Sequence, residues 1–282
     1  MDRNRGLLYV AHTANDALDV IDIRTSAYTH SIPELKGVAG ALVHEPSGLV
    51  FSSNRGENTV GLFAPNSRVT KVGVGIRPNG LAYDPSRGIL LCANVGDPNV
   101  PDSASVTMVD VAARTALATV SMPGRTRWAV FDSSQQMFFV NIADPFQIIV
   151  IDPQRPDQVA KHFEISARGP HGLDLDEARR RLYCACDANT LVALDSRSGR
   201  TIDSLELSGV PDVIFLDPAL SRLYVAIGEP GVIDIIDVAA WKRVEVVVTE
   251  RGAHTIALDA TAHCIYAFLP GSHRAMVFHD DL

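Results

Sequence analysis

The chain has 282 residues, 46% of them hydrophobic, enough to bury a sizeable core as one large all-β domain or two ordinary ones. Its formal net charge of −8 argues against general attraction to nucleic acid or anionic membrane, and no apolar stretch reaches the roughly 18 residues of a bilayer span. Four cysteines, Cys92, Cys184, Cys186 and Cys264, lie inside apolar runs without zinc-ligand spacing, so they read as small buried hydrophobes rather than disulfides or metal ligands.

Met1 to Arg5 carries no secretory pattern and leads straight into an apolar run at 7–12. That beginning reads as cytoplasmic, and a periplasmic or secreted protein whose leader had been removed would begin the same way. From there short apolar runs alternate with turn signals to the end of the chain. None is long enough, or periodic enough at 3.6 residues, to be a helix. The unit is clearest at 169–207, where the runs His171–Leu175, Leu182–Ala185, Leu191–Leu194 and Ile202–Leu207 predict a four-stranded antiparallel meander.

The second strand of that unit recurs at 7–12, 49–54, 89–94, 137–142, 181–186, 222–227 and 264–269. Its anchors Tyr9, Phe51, Leu91, Phe139, Tyr183, Tyr224 and Tyr266 are 42, 40, 48, 44, 41 and 42 residues apart. A period of ~40–45 with four strands per unit is that of a β-propeller, in which sheets too small to stand alone stack around a central channel. First strands start near Val38, Pro78, Arg127, Pro170, Pro211 and Ala253. They run into turns opened by Glu45, Asp84, Asp132, Asp176, Asp217 and Asp259. Third strands end at Asp22, Asp110, Asp152, Asp195 and Asp237. Aspartate suits such turns because its carboxylate accepts from backbone N–H groups just ahead.

The count is six first, seven second, seven third and six fourth strands. The expected fold is therefore all-β, a single β-propeller domain over 1–282. It has seven blades of four-stranded antiparallel sheets with incomplete terminal blades, or six blades if one terminal unit does not form. The absent first strand points to native sequence ahead of Met1.

The recurring Leu-Tyr-Val-Ala of the second strands and Val-Ile-Asp of the third resemble the YVTN-repeat propellers, the YncE-like group, over nearly the whole chain. That resemblance implies the scaffold, which hosts binding modules, lyases and lactonases alike. Arg77-Pro78-Asn79-Gly80 is also similar to the Pro-Asn-Gly segment of the gluconolactonase propellers, whose metal is held by Asn and acidic side chains. No N-terminal Glu ligand can be placed here, so that activity does not carry over.

Loops leading into first strands and loops leaving second strands share one end of a propeller. Counting back from the acidic turns puts Gly40, Asn79, Arg127, His171, Asp212 and His254 at that mouth of the channel. Five polar side chains in successive blades make this the candidate site, although wet channel mouths also collect polar residues that only hold water. Two chemistries fit. His171, Asp212 and His254, with Asn79 or water opposite, could bind one divalent metal ion, which would polarise a lactone or ester carbonyl and activate water. Alternatively, Arg127 with the loop arginines, above all Arg77 and Arg125, could bind a small anionic molecule through guanidinium forks. Lys36, Arg168 and Arg251 lie on the same loops.

His12, Asn54, Arg55, Asn94 and Asp187 stand at or just beyond second-strand ends, and the long loop 95–104 could form a flap. Trp128 reads as packing between blades. No nucleophile elbow, P-loop or dinucleotide fingerprint is present. The functions expected are ligand or metal binding, then a metal-dependent hydrolase or lyase at the same residues, then a protein-interaction scaffold with a protein partner.

Overall fold

A computed structural model describes residues 1–65 and 67–280. Its strands are β1 (Leu7–His12), β2 (Ala17–Asp22) and β3 (Ala27–Ile32); β4 (Val38–His44), β5 (Leu49–Asn54), β6 (Thr59–Phe63) and β7 (Thr70–Gly73); β8 (Pro78–Asp84), β9 (Ile89–Asn94), β10 (Ser105–Asp110) and β11 (Thr115–Ser121); β12 (Thr126–Asp132), β13 (Met137–Ile142), β14 (Gln147–Ile151) and β15 (Lys161–Glu164); β16 (Pro170–Asp176), β17 (Arg181–Cys186), β18 (Thr190–Asp195) and β19 (Thr201–Glu206); β20 (Pro211–Asp217), β21 (Arg222–Ile227), β22 (Val232–Asp237) and β23 (Lys242–Val248); and β24 (Thr255–Asp259), β25 (Cys264–Leu269) and β26 (Arg274–His279). Each group forms one sheet with its strands side by side in chain order. This is an all-β, seven-bladed β-propeller fold. Among the described residues the first sheet lacks an initial strand and the last lacks a fourth, as the strand count predicts. No helix among them is long and apolar enough to cross a membrane.

By its contacts the chain forms two compact units, Met1–Val140 with Ile149–Lys161, and Asn141–Ile148 with His162–Leu282. In the first, a core cluster joins the opening two sheets through Leu18, Val38 and Val50, and another joins the second and third through Phe51, Val60 and Leu90. In the second, Tyr183, Leu191, Ile214, Leu223 and Ile236 join the fifth and sixth sheets. Second strands are buried almost throughout because both faces meet neighbouring sheets, which is why they read as continuous apolar runs. Outer strands such as β11, β19 and β23 are mostly exposed. All four cysteines are buried and none is in a disulfide; Cys184 and Cys186 lie on one face of β17 with their Sγ atoms 3.7 Å apart.

The repeated aspartates do what turn chemistry asks of them. Asp84 Oδ1 accepts from the backbone N–H groups of Ser86 at 2.9 Å and Arg87 at 3.2 Å, and Asp132 does the same with Ser134 and Gln135. Asp217 and Asp259 cap their turns in the same way. Burial opposes ionisation of Asp84, but the Ser86 and Arg87 hydrogen bonds outweigh it and hold its carboxyl below the ordinary range.

Candidate functional site

The second residue of most inner strands does not sit in a regular ladder. Pairing with the next strand slips by one residue between Val38 and Gly40, Pro78 and Leu81, Pro170 and Gly172, and Pro211 and Ile214. Ala39, Asn79, His171 and Asp212 lie inside those bulges, and a bulge bends the strand and re-aims the side chain it carries. The third residue is often glycine for a steric reason. A Cβ on Gly80 would stand 2.4 Å from the carbonyl oxygen of Arg127, and one on Gly172 would stand 2.4 Å from that of Asp212. Glycine therefore lets the next blade's bulge come close.

Gly40 belongs to that glycine position, with its Cβ direction 3.0 Å from the Asn79 carbonyl oxygen; Ala39 stands where the sequence reading put Gly40. The displacement has a simple cause. His44, paired with Leu49, closes β4 as Asp84, paired with Ile89, closes β8, so Glu45 lies one residue beyond the equivalent turn position.

Within the second unit, His171, Asp212 and His254 come together. His171 Nδ1 lies 2.8 Å from Asp187 Oδ1, and its Nε2 lies 3.1 Å from Asp212 Oδ1. His254 Nδ1 lies 2.7 Å from the carbonyl oxygen of Gly252, and its Nε2 lies 3.8 Å from Asp212 Oδ2. The backbone beneath is held in place: Asn141 Nδ2 donates to the carbonyl oxygens of His171 and Gly172 at 3.0 and 3.1 Å. Gly169, at φ +71°, leaves the space that Asp187 fills, since a Cβ there would lie 2.7 Å from Asp187 Cβ. Asn141 was not among the expected residues, and its only sequence signal is an amide inside the apolar run of β13. Among the described residues no group of three or more His, Cys, Asp or Glu side chains is placed to hold a metal ion.

Within the first unit, Arg55 Nη2 donates to Asn79 Oδ1 at 2.7 Å, so a cation already occupies the amide oxygen considered as a metal ligand. Arg127 is half-buried at the same strand position of β12. Arg77 and Arg125 meet elsewhere. Both line a cavity of about 350 Å³ with Val95, Asp97 and Ser103 of the 95–104 loop and Met122 ahead of β12. The loop is ordered by itself: Asp97 Oδ1 accepts from the backbone and side-chain nitrogens of Asn99, and Ser103 bridges the Asp97 backbone N–H and carbonyl. Neither the Arg77 nor the Arg125 side chain has a hydrogen bond or ion pair among the described residues.

Arg77 and Arg125 each immediately precede an inner strand, in successive blades. The same position is glycine at Gly37 (φ +59°) and Gly169 (φ +71°), and Arg77 adopts this left-handed conformation at φ +57°. Its backbone is fixed there from two sides, by Arg77 N donating to Asn58 Oδ1 at 2.9 Å and Val95 N donating to the Arg77 carbonyl at 3.0 Å. A left-handed non-glycine residue costs roughly 1–2 kcal/mol. An arginine side chain is therefore carried where two counterparts, Gly37 and Gly169, are glycine and two others are Arg125 and Val210, and it lines the cavity.

No protein-family model matches the chain, and no curated protein sequence matches it. Solved structures do. A chain of Kuenenia stuttgartiensis hydrazine synthase superposes with a TM-score of 0.85 at 13% identity, covering 100% of this chain and 94% of that one. A functionally unknown protein from Desulfotomaculum acetoxidans gives 0.81 at 12%, covering 97% and 92%. The dihydro-heme d1 dehydrogenase NirN gives 0.75 at 17%, covering 98% of this chain and 61% of that one. At these identities the likeness is one of fold, and it places this chain among the β-propellers.

Proposed function

We propose that this chain is a YncE-like, YVTN-repeat propeller that binds a small anionic ligand between Arg77 and Arg125 beneath the 95–104 loop. One observation carries the reading: two guanidinium groups without a side-chain partner among the described residues line a single cavity, one of them on backbone that favours glycine. Guanidinium forks match carboxylate and phosphate oxygens, and the pocket's partly apolar wall of Val95 and Met122 suits a small organic anion. Asp97 Oδ1 is held by Asn99 within the loop and Asp102 is exposed, so the two guanidinium groups share the lining with two carboxylates, and the ligand must bridge the arginines directly.

Isothermal titration calorimetry with succinate, citrate and inorganic phosphate tests this. At least one probe should bind, and the Arg77→Gln/Arg125→Gln double variant should weaken it tenfold or more, since hydrogen bonds to charged groups contribute about 1.5–3 kcal/mol. Arg114→Gln, which removes an exposed arginine that does not line the cavity, should leave affinity unchanged. Absence of binding by all three probes, or equal binding by the double variant, would refute the assignment.

A further inference from the structure

A second cavity, of about 390 Å³, lies between the last two sheets of the second unit, within the range of roughly 300–1,000 Å³ typical of small-molecule clefts. Its lining is mainly apolar: Tyr224, Ile233 and Ile265 are buried, and Val247 and Phe278 are half-buried. The preceding pair of sheets shows what fills the corresponding place there. The cross-strand pairs Leu191–Leu205 and Ala193–Asp203 of the fifth sheet correspond to Ile233–Val247 and Ile235–Glu245 of the sixth, and Tyr183 corresponds to Tyr224. On Tyr183 stacks the half-buried indole of Trp241, from the turn after β22, with centroids 6.2 Å apart and ring planes at 20°. Its Nε1 donates to the Ser204 carbonyl at 3.2 Å. Tyr224 has no such ring partner among the described residues, and with Ile233, Ile235, Glu245 and Val247 it lines the cavity instead.

The charge of the lining is one-sided. Asp280 Oδ2 accepts from the Tyr224 hydroxyl at 2.7 Å, and Glu245 is exposed with no hydrogen bond or ion pair among the described residues. No lysine or arginine lines the cavity, and its one basic side chain is His279, whose Nδ1 lies 3.0 Å from Cys264 Sγ. In the preceding groove the counterpart of Glu245, Asp203, shares the lining with Arg179 and Arg181. The uncompensated carboxylates select a cation, and the apolar lining with its tyrosine ring selects one with a flat apolar body.

We propose that this cavity binds a small aromatic ammonium ion, its ring on Tyr224 in the place that Trp241 takes on Tyr183, and its charge beside Glu245 and Asp280. Burial of the ring against Ile233, Ile265 and Val247 supplies most of the affinity, and the carboxylates supply the choice of charge. This site is independent of the arginine pocket, and either can fail without the other.

The test titrates the full chain by calorimetry at about pH 8, where an alkylammonium is charged and an ordinary imidazole is neutral. The probes are tryptammonium chloride and its neutral and anionic counterparts, tryptophol and indole-3-acetate. Tryptammonium should bind in a single saturable step. Tryptophol should bind about fivefold more weakly, for want of the ion pair and the cation–ring contact, and indole-3-acetate more weakly still. Glu245→Gln, at an exposed position, should weaken tryptammonium about two- to fivefold and leave tryptophol unchanged. Val247→Trp, which places an indole in the cavity from its own wall, should abolish binding of both. Glu206→Gln removes an exposed carboxylate outside the cavity and should change nothing. If Val247→Trp does not fold by circular dichroism, the three probes and Glu245→Gln decide the question. No binding of tryptammonium, equal affinity for tryptophol, or parental affinity in Glu245→Gln would overturn the proposal. A dimer in sedimentation that Val247→Trp dissociates would assign the groove to a second copy of the chain and overturn it as well.

Discussion

At the scale of single residues, Arg77 is where stability and binding conflict. Glycine fits φ +57° without the side-chain clash that arginine suffers there. Arg77→Gly should therefore raise stability by about 1 kcal/mol in urea titration while weakening anion binding. Unchanged or lower stability would mean that the side chain holds the fold rather than a ligand. Asp174 is a second residue with a measurable signature. It retains some exposure, yet the surrounding protein pushes its carboxyl up to about 6, against the backbone N–H groups of Leu216 and Leu175 that favour the charged form. Its folded value lies above the unfolded value of about 4, so the folded protein keeps a proton that the unfolded chain has released. Stability from this group is therefore lost as pH rises from about 4 through about 6. Asp174→Asn should flatten the stability profile in that window, and a profile of unchanged slope would contradict the assignment.

At the scale of elements, the inner-strand bulges matter most, and they fix how close successive blades approach. Gly172→Ala would drive a methyl group into the Asp212 carbonyl and should cost about 1–3 kcal/mol, read as a lower urea midpoint. Gly73→Ala on β7 meets nothing within 4 Å and should be neutral or slightly stabilising. Equal effects at the two positions would show that the close approach is not what glycine 172 serves. These bulges also mark the limit of what could be read beforehand. The strands, their order and the turn aspartates follow from apolar runs and an acid at a fixed offset, both of which the amino acids display directly. A bulge has no such residue signature. In β4 the turn acid is displaced to Glu45, so the count landed on Gly40 instead of Ala39. The partnership of Asp187 with His171 depends on a backbone path through Gly169, and the shared cavity of Arg77 and Arg125 depends on how the 95–104 loop folds onto itself. Each residue was recognisable as a candidate, but the pairings are set by tertiary geometry.

At the scale of the whole molecule, the turn carboxylates set the acid limit of the fold. The Arg24 hydrogen bond holds Asp22 at about 2. Asp195 is lowered chiefly by the backbone N–H of Ser198, and Asp237 chiefly by that of Ala240. Asp84 is also lowered, the Ser86 and Arg87 hydrogen bonds outweighing the burial that opposes them. Their folded values lie below the unfolded ones, so the stability they contribute is complete above about pH 4 and is lost as pH falls toward about 2. Thermal melts should show a midpoint that drops steeply across that interval, and a midpoint insensitive to it would mean the caps are not formed in solution. A chain of net charge −8 offers anions no general attraction, so any that bind must do so through a local cationic pocket, with affinity that falls as salt rises.

That pocket can be observed directly in the arginine side-chain NMR signals of protein labelled with ¹⁵N-arginine, assigned with the Arg77→Gln and Arg125→Gln variants and titrated with succinate. The Nε–Hε signals of Arg77 and Arg125 should move together along one saturable curve while those of exposed arginines such as Arg114 stay still. Uniform small shifts across all arginines, or movement of Arg77 without Arg125, would contradict a shared anion site.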